Sequence, residues 1–208
     1  MAACPSLVLS PTDRTGARMA ADDRRTRILD AAEELFAVDG FDATPTARVA
    51  EAADVPKGLV FYYFPRKIDL LLTLLQERLP VPTKEAVSGV VRRGDPAASL
   101  MALHRRLGLD SHDSLVLRTI IFRESGTHPQ VGAHLRRLRR SLVELTESAL
   151  DQAVDWTSAT TLRRQAAETF VSVMLDHANA RRTDGGGQPD VQGAASVVAL
   201  ALGAPGLA

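Results

Sequence analysis

The chain is nearly devoid of cysteine: Cys4 stands alone among 208 residues. One thiol excludes an internal disulfide framework and any zinc site built from several cysteines. No cofactor and no metal are expected. A net charge is lacking as well, with 25 basic side chains balancing 25 acidic ones. That balance excludes a nonspecific polycation but hides how charge is distributed. No apolar run approaches the roughly 18 residues a membrane span needs. The longest largely apolar tract, Ala194 to Ala204, is short and rich in alanine. The first residues, Met1 to Ala21, lack the basic start and unbroken apolar centre of a signal peptide. A soluble, cytoplasmic protein with no membrane partner is expected. Aromatic residues make up only 4% of the chain, so a placed aromatic cluster carries information.

Strand signals are nearly absent, and no internal repeat is found. Apolar residues recur at helical spacing instead, so the fold class is all-α. Residues 1–21 mix Pro, Ser, Thr and Gly without period and read as a flexible tail. A first helix is expected near Asp22 or Asp23, with Ile28, Ala31, Ala32, Leu35 and Phe36 on one face and Gly40 as its stop. Thr44-Pro45 has the pairing of a helix start, a capping hydroxyl followed by proline at the first helical position. Further helices are expected from about Lys57 to Phe64, Arg66 to Leu79, Asp95 to Leu107, Ser114 to Glu124, Gln130 to Val154, Ala159 to Arg181 and Val191 to Leu202.

The stretch from Gly40 to Lys67 is the informative one. Two short helices joined by Asp54-Val55-Pro56 have the spacing of a helix-turn-helix, whose second helix enters the DNA major groove. Within that helix Val60, Phe61 and Phe64 are related by three- and four-residue steps and are expected to point into a small core. Lys57, Gly58, Leu59 and Tyr62 are left on the outward faces. The only two tyrosines, Tyr62 and Tyr63, stand beside Lys57, Arg66 and Lys67. Phenylalanine would serve in an ordinary core, whereas hydroxyls beside cations suit a phosphate-contacting surface.

From Arg24 to Leu72 the sequence resembles the DNA-binding domain of TetR-type bacterial transcriptional regulators. Gly40-Phe41, Thr44, Val49-Ala50, Val55, Lys57-Gly58, Phe61 to Phe64 and Lys67 to Leu70 match that pattern in order. Pro45, Pro56 and Leu59 depart from it, and Leu59 offers apolar contact where the family has a hydroxyl. The resemblance implies an N-terminal three-helix helix-turn-helix domain at residues 22–68. A larger helical bundle at residues 69–208 would bind an effector and dimerise. It implies that Thr44 holds a phosphate and that Thr46 and Arg48 face the DNA. Lys57, Gly58, Leu59 and Tyr62 would approach base edges or the flanking backbone, and Tyr63 and Lys67 would hold phosphates. The partners implied are a double-stranded operator, a small-molecule effector and a second copy of the chain joined through the last two helices. Repression is the usual role. The alternative is an all-helical small-molecule-binding protein or adaptor whose helix-turn-helix does not bind DNA.

In the second half, Leu162, Ala166, Phe170, Val173 and His177 fall on one face of the penultimate helix. Val191, Ala194, Ala195, Val198, Ala201 and Leu202 mark the last. An effector pocket is expected among the intervening helices, with His104, Arg118 and His177 as polar candidates and Met101, Phe122, Phe170 and Met174 as apolar lining. Arg136, Arg137, Arg139 and Arg140 read as the solvated face of a long helix. No Gly-x-Ser-x-Gly, P-loop or His-Glu-x-x-His pattern occurs, and the five histidines lack metal-ligand spacing, so no enzyme is expected.

Overall fold

The computed structural model describes residues 11–109, 124–154, 160–180 and 189–203. Among these, eight α-helices and one short 3-10 turn account for the regular structure, and there is no strand. The helices are α1 (Pro11–Asp39), α2 (Thr46–Ala52), α3 (Lys57–Tyr63), α4 (Lys67–Arg78), α5 (Pro96–Leu107), α6 (Pro129–Ala153), α7 (Thr160–Ala180) and α8 (Val191–Ala201). Helix α1 begins at Pro11, not near Asp22, so residues 11–21 are helix and not loose tail. Proline at a first helical position gives up only a donor that has no intrahelical partner there. Cys4 and the helix expected from Ser114 lie outside the described residues, apart from Glu124, which is helical. No helix among the described residues is long and apolar enough to cross a membrane.

Contacts divide the chain into two compact units at Leu74/Leu75. In the first, α1 packs on α2 and α2 on α3. Its core is Ile28, Leu29, Ala32, Phe36, Phe41, Val49, Ala50, Val60, Phe64 and Leu70, all buried. Phe36 and Phe41 meet edge to face at 5.2 Å, which brings the α1 stop and the approach to α2 together.

Two local devices set the angle of α2. After Gly40, which takes a positive φ of 89°, the Thr44 hydroxyl turns inward and donates to the Gly40 carbonyl at 2.7 Å. Thr44 is fully buried, so it is not the helix cap expected. Pro45 occupies that position, and no side chain caps α2. At the other end Asp54 adopts a φ of 52°. The Val55 amide donates to the Ala50 carbonyl and the Asp54 amide to the Glu51 carbonyl, each at 3.0 Å. This is the Schellman arrangement, with aspartate where glycine is usual. Arg27 binds the Asp54 carboxylate at 3.1 Å, tying the turn to α1. The four-residue turn between α2 and α3, Ala53 to Pro56, is thereby fixed.

In the second unit α6 packs on α5 and α7, and α8 packs on α5 and α7. Asp95 caps α5 by accepting from the Ala98 amide at 2.8 Å, and Asp190 caps α8 by accepting from the Gly193 amide at 2.8 Å. The core gathers Leu100, Leu138, Leu142, Leu150, Phe170, Val171, Met174, Val191, Ala195 and Val198. The buried stripe of α7 is therefore Ala166, Ala167, Phe170, Val171, Met174 and Ala178. Of the face expected from sequence, Ala166 and Phe170 belong to it, Leu162 is exposed, and Val173 and His177 are half-buried. The wider stripe follows because α7 is packed by α6 and α8 together.

Candidate nucleic-acid interface

Helix α3 has only seven residues and is held by Val60, which has no exposure, and by Phe64 just beyond its end. Burying such side chains contributes about 1.5–3 kcal/mol each, enough to seat one short helix with its opposite face free. That face carries Lys57, Gly58, Phe61 and Tyr62, all exposed, flanked by half-buried Leu59 and Tyr63. Tyr62 is 77% exposed.

Phe61 corrects the expected core set. It is 43% exposed, and the Lys57 ammonium lies over its ring at 5.9 Å. A seven-residue helix has room for one inward stripe, and Val60 and Phe64 fill it. The signal in the sequence was Lys57 four residues before Phe61, a spacing that stacks cation on ring.

Around α3 the remaining candidates fall on supporting elements. Thr46 is half-buried at the start of α2. Arg48 is exposed and paired with Asp39 at 2.8 Å. Tyr63 meets Tyr62 edge to face at 5.1 Å and lies tilted against Phe64. Lys67 sits above the Phe41 ring at 4.5 Å and donates to the Asp42 carbonyl at 3.1 Å. That bond holds its ammonium at the first turn of α4. Thr44, with its hydroxyl spent on internal carbonyls, offers no side-chain donor to a phosphate.

Arg66 and Asp69 lock the entry to α4. The Arg66 backbone amide donates to Asp69 at 2.9 Å and its guanidinium at 2.7 Å. The side-chain hydrogen bond from Arg66 is the main cause holding the Asp69 carboxyl below its ordinary value near 3.8. A carboxyl depressed in the folded state stabilises above its unfolded pKa, and that stability is lost as pH falls through the folded value. Replacing Asp69 by Asn should lower the urea midpoint slightly at pH 7 and leave it unchanged near pH 2. The effect is small because the pair faces solvent.

The second unit brings two of the effector candidates together. His104 of α5 is buried, and its ring meets His177 of α7 edge to face at 5.8 Å. His177 Nδ1 lies 2.7 Å from the Pro189 carbonyl. Phe170 and Met174 are fully buried, and Met101 packs against the same cluster. Arg118 and Phe122 lie outside the described residues. Of the arginine run, Arg136, Arg137, Arg139 and Arg140 are all exposed, and Arg139 donates to Ser172 at 2.9 Å. Sequence reasoning passed over Val197 and Leu200 of α8, which are 66% and 60% exposed on the face turned away from its core contacts.

A short helix seated by one valine, preceded by a fixed four-residue turn and presenting lysine, glycine and tyrosine outward, has the build of a helix-turn-helix, a class of nucleic-acid-binding motif. Residues 28–74 match the family model described as bacterial regulatory proteins, TetR family. Over those residues the chain is similar to that family. It is 29% identical over 125 residues to the transcriptional activator FasR of Mycolicibacterium smegmatis, covering 60% of this chain and 57% of FasR. It is 40% identical over 67 residues to the transcriptional repressor KstR of the same organism, covering 31% of this chain and 33% of KstR. The chain thus spans little more than half of the first relative and a third of the second. Among solved structures, a TetR transcription regulator from Haloarcula marismortui shares the fold, with a TM-score of 0.63 at 17% identity over 88% of this chain and 98% of the other.

Proposed function

We propose that the chain is a DNA-binding transcriptional regulator that sits on a two-fold operator as a homodimer. It responds to a small-molecule effector in its second unit and represses by occupying the promoter. One observation carries the DNA reading: Gly58. A Cβ built there meets nothing within 4 Å, and its φ is not positive. Neither packing nor backbone conformation demands glycine, although glycine costs a helix about 1 kcal/mol. A residue that its own fold does not need, on an exposed face between Lys57 and Tyr62, suits the close approach of an external surface. The major groove is such a surface. In this reading Lys57, Gly58, Leu59 and Tyr62 approach base edges or the flanking backbone, while Arg48, Tyr63 and Lys67 hold phosphates. The effector contacts would include His104 and His177, with Met101, Phe170 and Met174 around them.

Dimerisation is supported by α8. Its inward stripe of Val191, Ala195 and Val198 is buried, yet Val197 and Leu200 form a second apolar stripe facing outward. A helix apolar on both sides suits burial on both sides, and a second copy of α8 supplies matching chemistry by two-fold symmetry.

Selection of bound duplexes from a random pool tests this. The expected product is a palindrome with half-sites spaced by about 34 Å or a multiple. Arg48, Lys57 and Lys67 from two subunits would neutralise about six phosphates, so log affinity should fall against log salt with a slope of about −5. Recovery of no common sequence, or binding indifferent to salt, would sink the proposal.

A further inference from the structure

We infer that Phe61 selects base sequence by apolar contact, taking the 5-methyl group of a thymine in the major groove, and that it is also a positioning residue for Lys57. The inference rests on the DNA-binding reading above and names what α3 would select. Phe61 carries no polar side-chain atom, so its ring accepts no hydrogen bond from a base edge and holds no phosphate. It is nevertheless 43% exposed, on a helix whose inward side is filled by Val60. The thymine methyl is the apolar group that base pairs present in the major groove, and phenylalanine is among the side chains that contact it. Leu59 offers less surface, being half-buried. Tyr62 is more exposed, but its ring is engaged edge to face with Tyr63 and its hydroxyl suits an oxygen partner.

Two neighbours prepare the ring for this. Gly58 lies three residues before Phe61, on the same side of the helix, and a Cβ placed there meets nothing within 4 Å. The step below the ring is therefore open to an approaching base. Lys57, four residues before Phe61, holds its ammonium 5.9 Å from the ring centroid, within cation–π range. A lysine restricted in this way before DNA arrives gives up less rotamer freedom on contact. In the major groove a lysine ammonium is matched by guanine O6 and N7. Base pairs stack about 3.4 Å apart, so a ring and an ammonium 5.9 Å apart reach bases within about two pairs of each other. The expected half-site holds a thymine with a guanine at that spacing.

The full chain is first used to select duplexes from a random pool. Each thymine of the recovered operator is then replaced in turn by deoxyuridine, which removes the methyl and leaves the pairing edge intact. At one thymine per half-site the loss should be about fourfold in affinity, as expected for burying one carbon. That loss should vanish in Phe61→Ala and survive in Leu59→Ala and Tyr62→Ala, the pattern by which a double-mutant cycle reports direct contact. Replacing guanines by 7-deazaguanine, which lacks the N7 acceptor, should weaken binding at a guanine within about two pairs of that thymine. Lys57→Ala should abolish this second effect and leave the first. Phe61→Leu keeps apolar surface without a π face, so it should retain the methyl effect and reduce the guanine effect. Affinity for an unrelated duplex should stay within about twofold in both Phe61 variants, because nonspecific affinity comes from phosphate contacts.

An operator with no methyl-sensitive thymine, methyl sensitivity that persists in Phe61→Ala, or an equal loss on every duplex would overturn the inference. A guanine effect undiminished in Phe61→Leu would overturn the positioning of Lys57. Each of these leaves the regulatory reading standing, whereas recovery of no common sequence removes both.

Discussion

Gly58→Ala should make the chain more stable and a poorer DNA binder at once. In the free protein the added methyl enters open space and restricts the unfolded chain, so unfolding should become harder by about 0.5–1 kcal/mol. In the complex the same methyl stands on the exposed face of α3, between Lys57 and Tyr62, where a nucleic-acid surface would press closest. Forcing a carbon into a closely packed contact costs about 1–3 kcal/mol. A loss of about 1–2 kcal/mol at each of two half-sites multiplies to roughly 30- to 1,000-fold in operator affinity. Thermal melting and operator titration on one preparation check both signs. Unchanged affinity would mean that α3 does not come within van der Waals reach of its target.

The second large effect lies at the far end of the chain. Val197→Glu combined with Leu200→Glu should give a folded monomer. Both side chains point away from the stripe of Val191, Ala195, Val198 and Ala199 that holds α8 to its own unit, so the fold loses little. Two apolar side chains from each of two copies would bury four in the pair, worth about 6–12 kcal/mol at ordinary burial energies. Four introduced carboxylates would repel across the axis. Sedimentation should show half the parent mass, and operator affinity should fall by at least about a hundredfold because each monomer reaches one half-site. A variant that still sediments as a dimer would place the interface elsewhere.

Much of this was legible in the sequence. The helical period, the prolines and Asp95 placed most helices, because these signals are local. The Gly40-to-Lys67 pattern exposed the helix-turn-helix for the same reason. What stayed hidden depends on which neighbour a face meets. Thr44 reads as a cap beside Pro45, yet the chain reversal at Gly40 brings backbone carbonyls to its hydroxyl and turns it inward. Phe61 reads as core by spacing, but α3 is too short to bury two stripes. Leu162 reads as part of the α7 seam, yet the core takes the adjacent Ala167 and Val171 instead. Val197 and Leu200 are indistinguishable from core residues in an apolar helix until the packed side is known.

The outward stripe of α8 also bears on dosage. If pairing is what places two reading heads on one operator, then at protomer concentrations below the pairing constant the population of dimer grows as the square of the protein made. Doubling expression would then quadruple promoter occupancy in that range, so a regulator of this build is a threshold device before any effector arrives. On that reading Val197 and Leu200 would set the concentration at which the threshold falls, at the opposite end of the sequence from the residues proposed to touch DNA.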